Sequence, residues 1–364
     1  MPIPNELRSL IELMLQRNAS DLILTEGQPA VLRVIGELTV VGEKPLTSDE
    51  IRRFAYSLLS VEQQKTFEQT LEMDSSFGWQ GTARFRVNVF HQRGAAGMVI
   101  RALPYAIPTL ESLGVPEIVK KWLLVPHGIL ITTGPTGSGK STTQAAMIGY
   151  LNLRKHYHVI TIEDPIEFTH SHGTCTIEQR EIGRDSQSFT EALKHVFRQS
   201  PDVIMIGEMR DRETCQAALQ LAETGHLVLT TLHTGDATQS ISRMVDLFPA
   251  EQQQQVRVQL SLTLIGVLVQ QLVPRLDGTD RLLAAEVLEA NGAVRNLIRK
   301  NDLQQIYSVL QTGSNEGMIS MNASLLQLFK QGKISLEQAM LFTTRHGELE
   351  QLVAREAKRV VYHA

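Results

Sequence analysis

Gly128-Ile-Leu-Ile-Thr-Thr-Gly134-Pro135-Thr136-Gly137-Ser138-Gly139-Lys140-Ser141-Thr142 is the stretch on which the fold turns. An apolar run ends in a glycine loop and continues into a helix from Ser141, and residues 134–141 fit G-x-x-x-x-G-K-[ST] in the strand–loop–helix setting that gives the pattern meaning. Each fixed position has a physical reason. Glycines let successive backbone N–H groups converge on phosphate oxygens, and the following helix N-terminus adds partial positive charge. A lysine after the last glycine reaches the β and γ phosphates, and the next hydroxyl holds Mg²⁺. Gly134, Pro135, Thr136, Gly137, Ser138, Gly139, Lys140, Ser141 and Thr142 are therefore expected to bind ATP, with Ser141 also a Mg²⁺ ligand.

Outward from the loop, three segments supply chemistry. Asp202-Val-Ile-Met-Ile-Gly207-Glu208 is an apolar strand that delivers a carboxylate at its C-terminal end, beside the loop in any doubly wound sheet. Gly207 stands where many such ATPases have an aspartate, which leaves Glu208 as the base that orients or deprotonates water. The alternative is a helix-start carboxylate near Arg210 and Arg212. Thr161-Ile-Glu163-Asp164-Pro165-Ile-Glu167 follows another predicted strand, where Glu163 and Glu167 could hold Mg²⁺ through water or poise the nucleophile. In His226-Leu-Val-Leu-Thr-Thr-Leu-His233 the odd separation points the two rings to opposite faces of one strand, so they cannot share a metal. His233 is read as a phosphate sensor and His226 as a second nucleotide contact, against the plainer reading of two locally satisfied histidines. His170, His172 and Cys175 lack a fourth ligand for zinc.

Short apolar runs at 129–133, 159–162, 203–206 and 226–232 alternate with helices, the signature of a parallel sheet covered on both faces, and only helical patterns remain after about residue 290. Before residue 104 the pattern is a small α+β unit. Leu7, Leu10, Ile11, Met14 and Leu15 mark a helix; strand-like runs follow at 21–25 and 31–35, and helices at about 48–58 and 61–71. In the strand 83–90, Phe85, Val87 and Val89 share one face while Arg84, Arg86 and Asn88 share the other; 98–103 reads as its partner. Pro104, Pro108, Gly114 and Pro116 make a linker. At 364 residues the chain is long enough for two domains, and 42% hydrophobic with 20% charged residues excludes disorder. The net charge of -4, with no basic excess on either side of Pro104, argues against a nucleic-acid binder. The N-terminus lacks a secretory signal pattern, and the charge-free run 258–274 is too short and polar to span a bilayer, so a cytoplasmic location is expected. Two cysteines, Cys175 and Cys215, make no disulfide framework.

With these elements in order, the chain resembles the type IV pilus retraction ATPases of the PilT type, within the larger family of type II and type IV secretion ATPases. Phosphate loop, aspartate box, atypical acidic strand and histidine box occur there in this order. They match residues 134–141, 161–167, 202–208 and 226–233 here. The resemblance implies an α/β chain with an N-terminal PAS-like domain (1–103), a linker (104–116), a RecA-like P-loop ATPase core (117–290) and a helical C-terminal region (291–364). It implies catalytic arginines at Arg84, Arg86 and Arg101, supplied by the first domain. It further implies a homo-hexameric ring docked at the inner-membrane face under a pilus platform protein, acting indirectly on pilin, with a paralogous ATPase as a partner. Ala293-Val-Arg-Asn-Leu-Ile-Arg299 resembles the family's retraction motif, reinforced by Tyr307-Ser-Val-Leu-Gln-Thr-Gly313. Read from the residues, 293–299 is an amphipathic helix with Val294, Leu297 and Ile298 inward and Arg295, Asn296 and Arg299 outward. Pilus-extension and type II secretion ATPases usually have a longer N-terminal region and a four-cysteine metal site, which this sequence lacks. A non-hydrolysing accessory ring is the other alternative, disfavoured by the intact Lys140 and Glu208. A conjugative DNA-transfer ATPase is a further alternative.

Overall fold

The computed structural model describes residues 3–34, 36–79, 83–103, 106–278 and 280–363, with side chains through residue 356. Ile35, at the end of an expected strand, and Pro104, at the start of the expected linker, lie outside the described residues. Two compact units emerge: Met1–Ala106 with Pro165–Thr169, and Ile107–Asp164 with His170–Ala364.

In the first unit, α1 (Asn5–Gln16) leads to β1 (Asp21–Leu24), β2 (Val31–Val34) and β3 (Glu37–Val40). Then α2 (Ser48–Leu58) and α3 (Val61–Thr70) precede β4 (Glu72–Trp79), β5 (Ala83–Gln92) and β6 (Ala95–Leu103). Both helices start at capping boxes, Thr47 with Glu50 and Ser60 with Gln63, which satisfy orphan N–H groups at each first turn. The strands form one antiparallel sheet in the order β3-β2-β1-β6-β5-β4. Strict alternation on β5 buries Phe85, Val87 and Val89 with Leu7, Ile11, Met14 and Phe54, and leaves Arg84 and Arg86 on the other face.

In the second unit, α4 (Ile118–Trp122) precedes β7 (Gly128–Thr133), α5 (Lys140–Asn152), β8 (His158–Glu163), β9 (Thr176–Glu181) and α6 (Phe189–Val196). Next come β10 (Val203–Ile206), α7 (Arg212–Glu223), β11 (Leu227–Thr231), α8 (Ala237–Asp246) and α9 (Ala250–Thr263). The long strands β12 (Leu264–Pro274) and β13 (Arg281–Glu289) close the sheet. Then α10 (Gly292–Lys300), α11 (Ile306–Thr312), α12 (Met321–Lys330), α13 (Leu336–Phe342) and α14 (His346–His363) follow. Strand order is β13-β12-β7-β11-β10-β8-β9, parallel except for β13. Successive strand residues serve opposite cores: Ile129, Ile131, Ile160, Ile162, Ile204 and Ile206 pack with α6 to α11, whereas Leu130, Val159, Met205 and Leu229 pack with α4 and α5. The region after β13 is helical, and α12 to α14 enclose their own cluster around Leu325, Ala339 and Leu349. The chain is thus a mixed α/β protein with an N-terminal β-sheet unit and a helical C-terminal region. Among the described residues no helix is long and apolar enough to cross a membrane.

One reading is corrected at α10. Arg295 does not project outward; it is half-buried and donates from Nε to the Ala290 carbonyl at 2.6 Å, and from its two terminal nitrogens to Ser261, Leu262 and Leu264 at 2.7, 2.8 and 2.9 Å. Periodicity gives which face a residue starts from; a guanidinium on a flexible stem can fold back to unsatisfied carbonyls at a helix end.

Candidate functional site

In a parallel sheet every strand's C-terminal end opens on one edge, so the turns after β7, β8, β10 and β11 share that edge. The turn after β7 is the glycine loop. Gly134 has φ +144, and a Cβ there would stand 2.2 Å from the Gln270 carbonyl oxygen of neighbouring β12, so no side chain fits. The Lys140 ammonium is buried against the loop and donates to the carbonyls of Gly134 at 2.8 Å and Pro135 at 3.0 Å. Ser138 is 3% exposed, and its hydroxyl has no partner among the described residues. A buried unpartnered hydroxyl beside a buried ammonium at a helix N-terminus fits a phosphate chain, which accepts from all three. Ser141 and Thr142 stand in the first turn of α5, with Ser141 exposed.

His233 joins the loop to the acidic strand. Its Nδ1 lies 3.4 Å from Lys140 Nζ and its Nε2 3.4 Å from Glu208 Oε2, while Arg210 Nε donates to Glu208 Oε1 at 2.7 Å. An ammonium can only donate, so Nδ1 is the acceptor toward Lys140 and Nε2 is left to face Glu208. The carboxylate is mostly buried, its side chain 14% exposed. The turn carrying His233 is tied down in turn: Thr234 N donates to Thr133 Oγ1 at 3.0 Å, and Thr231 Oγ1 donates to the Gly207 carbonyl at 2.5 Å. Gly207 itself has a steric role, since a Cβ there would lie 3.3 Å from the Ile162 carbonyl and 3.5 Å from Glu163 Cα. Gly207, just after β10, thus lies close against the end of β8, where Glu163 stands. Glu163 ends β8, is buried, and accepts from Thr161 Oγ1 at 2.6 Å and Gln179 Nε2 at 3.0 Å.

Lys140, Ser138, His233, Glu208 and Glu163 thus share the strand-end edge. His226 does not. It precedes β11, whose first residue Leu227 pairs with Gly128, so the strand's rise of about 3.3 Å per residue puts it at the far end of the sheet from the loop. Its Nδ1 is occupied locally by the Leu221 carbonyl at 2.9 Å and Thr224 Oγ1 at 3.2 Å, and its ring sits edge-on to Phe197. The nucleotide contact expected of His226 is corrected to this local role. His170 is neutral because burial pushes it down to about 4, and His172 Nδ1 accepts from Ile177 N at 3.1 Å. Cys175 and Cys215 are free and buried, and burial pushes the Cys215 thiol up to about 12. Among the described residues no group of three or more His, Cys, Asp or Glu suits a metal ion. Sequence reading missed Gln179, Thr231 and Thr133, which hold the acids and turns in place; all are polar strand residues that no spacing rule singles out.

The first unit carries the arginines. In register across its sheet lie Arg33, Asp21, Arg101, Arg86 and Ser76. Arg101 Nε donates to the buried Asp21 at 2.7 Å, with Arg33 3.6 Å away from the same carboxylate. Arg86 lies 3.5 Å from Asp74, and Arg84 reaches Ser76 Oγ at 2.9 Å and Thr169 Oγ1 at 3.5 Å. Glu167 belongs to the segment Pro165–Thr169, which groups with this unit.

Comparison with known proteins gives the chain's relatives. The chain is 45% identical over 334 residues to the type IV pilus retraction ATPase PilT of Pseudomonas aeruginosa, covering 92% of this chain and 97% of that protein. It is 41% identical over 348 residues to the type IV pilus ATPase PilU of the same organism, covering 96% and 91%. The crystal structure of the pilus retraction motor PilT with bound ADP superposes with a TM-score of 0.88 at 46% identity, covering 94% of this chain and 98% of that one. The model of the type II/IV secretion system protein family matches residues 1–356, and the chain belongs to that family.

Proposed function

We propose that the protein is an ATP-hydrolysing motor that drives type IV pilus retraction by withdrawing pilin subunits. The observation that carries the enzymatic part is the continuous chain from Lys140 through His233 to Glu208, which links the phosphate loop to the acid that acts on water. The loop residues 134–142 bind ATP. Glu208 orients or deprotonates the attacking water, assisted by Glu163 and Glu167, and His233 senses the terminal phosphate. Ser141 would hold Mg²⁺, with Glu163 and Glu167 contributing through water, and the ion would supply positive charge against the phosphates. Two relatives alike over more than nine-tenths of their length are pilus ATPases, which supports the mechanical role.

On this reading residues 1–103 are a PAS-like domain, 104–116 a linker, 117–290 a RecA-like core and 291–364 the helical output region. Arg84, Arg86 and Arg101 complete a nucleotide site in a homo-hexamer docked on the cytoplasmic face of an inner-membrane platform protein. That this one sequence aligns with two pilus ATPases of a single organism supports a paralogous ATPase as a partner. Deleting the gene and counting surface pili tests the direction of work. Retraction predicts more pili with twitching lost; loss of pili would make the protein an extension motor instead.

A further inference from the structure

Thr161 and Gln179 are in register on the neighbouring strands β8 and β9, and both side chains reach the same atom. Thr161 Oγ1 donates to Glu163 Oε1 at 2.6 Å and Gln179 Nε2 donates to it at 3.0 Å. The other end of the Gln179 amide is also engaged: its Oε1 accepts the backbone N–H of His170 at 2.7 Å. That second bond fixes which way the amide faces, because an acceptor is needed toward His170 and a donor toward the carboxylate. Glu163 is 8% exposed and Thr161 fully buried, so the carboxylate's position is set by these donors rather than by water. Gln179 itself sits on an edge strand. The loop that holds His170 therefore reaches the acid through one amide.

We infer that Gln179 is a positioning residue for ATP hydrolysis, holding Glu163 at the orientation in which it assists attack on the terminal phosphate. This rests on the reading of Glu163 as a catalytic carboxylate. Its dependence on hydrogen-bond donation, and not on bulk, follows from the geometry. An amide that donates to one carboxylate oxygen removes its freedom to rotate, and small displacements of reacting groups carry large rate penalties.

Phosphate release by the full chain should be measured for Gln179→Ala, Gln179→Glu, Glu163→Ala and the double variant Gln179→Ala with Glu163→Ala, alongside ADP affinity and melting temperature. Gln179→Ala should lower kcat about tenfold with KM within about twofold, the signature of an interaction realised in the transition state. Gln179→Glu keeps the shape and the acceptor for His170 but sets a carboxylate against a carboxylate, so its kcat should fall at least as far. In the Glu163→Ala background, Gln179→Ala should change kcat by less than about twofold, since a partner already removed leaves nothing to position. Equal losses in both backgrounds would mean that Gln179 only supports β9, and a wild-type kcat in Gln179→Glu would overturn the donor role directly. A wild-type kcat in Glu163→Ala would instead remove the catalytic reading of Glu163, whatever Gln179 does.

Discussion

Lys140 and Glu208 stand at the two ends of His233, and their chemistry makes their roles separable. Lys140 donates to two loop carbonyls, and a phosphate oxygen is a stronger acceptor than either. Removing it deletes a buried positive charge aimed at bound phosphate, so Lys140→Ala should weaken nucleotide binding by roughly 2–5 kcal/mol, measured by titration with a fluorescent ADP analogue. Glu208, on the proposed mechanism, acts only on water. Glu208→Gln preserves shape and leaves Arg210 an oxygen to donate to, but an amide is no base, and kcat should fall on the order of 10²–10⁴-fold with ADP affinity retained. Near-wild-type turnover in Glu208→Gln would take the base assignment from this residue. These two positions are legible in the sequence because they are fixed by local chemistry: a loop pattern and a strand that ends in an acid. Gln179 is not, since its role arises from a neighbouring strand and its own surroundings in sequence, Thr176-Ile-Glu-Gln-Arg-Glu181, show only a polar edge.

Among the elements, the junction of α9 and α10 is where the helical pattern misleads most. The last carbonyls of α9 have no intrahelical partners, and the helix end carries partial negative charge. Arg295 meets both needs, donating to Ser261, Leu262 and Leu264 while its Nε holds the Ala290 carbonyl just before α10. Partial burial and the nearby Arg299 lower its affinity for the proton, a cost that four carbonyl acceptors offset. Arg299 makes a single side-chain contact of this kind, to Ser261 Oγ at 3.3 Å. Arg295→Ala should therefore destabilise by on the order of 2–3 kcal/mol, seen as a lowered urea midpoint with unchanged slope, while Arg299→Ala stays within about 0.5 kcal/mol. Equal, small effects would mean that water replaces the guanidinium at no cost. Exposed Asn296, with the half-buried Arg299 that makes only one weak bond, and not Arg295, are then the positions at which to test α10 as an output surface. Other elements divide along the same physical line. β5 and α1 are readable because burial follows their period, whereas β3 is exposed at every residue and the inward face of β4, Met73, Ser75, Phe77 and Trp79, is interrupted by a serine. β12 and β13 were hidden for the opposite reason: their buried runs are long and nearly continuous, and periodicity alone cannot separate these from helix.

For the whole molecule, the distribution of charge bears on assembly. The second unit gathers phosphate loop, Glu163, Glu208 and His233 on one sheet edge, whereas the arginines expected to stabilise transferred phosphate lie on the sheet of the first. Hydrolysis that needs both sets, in a ring where one subunit completes its neighbour's site, should be weak in an isolated chain. Specific ATPase activity should therefore rise with protein concentration and level off as the scattering mass reaches its oligomeric value. Choosing the arginine to remove matters. Arg101 is bonded to the buried Asp21, so its loss leaves a buried carboxylate short of a partner and confuses folding with function. Arg86 faces the largely exposed Asp74 at 3.5 Å, a pair worth little to stability. Arg86→Ala should accordingly melt near wild type, assemble normally and bind ADP as before, while kcat at saturating protein falls on the order of 10²–10³-fold, as loss of one preorganised donor to the transition state does. Mixing it with Glu208→Gln sharpens the test, because in a mixed ring some sites draw an intact arginine from one chain and an intact acid from the other. Activity recovered on mixing requires sites shared between subunits; two inactive variants that stay inactive together, in rings shown to contain both, would place arginine and acid within the same chain.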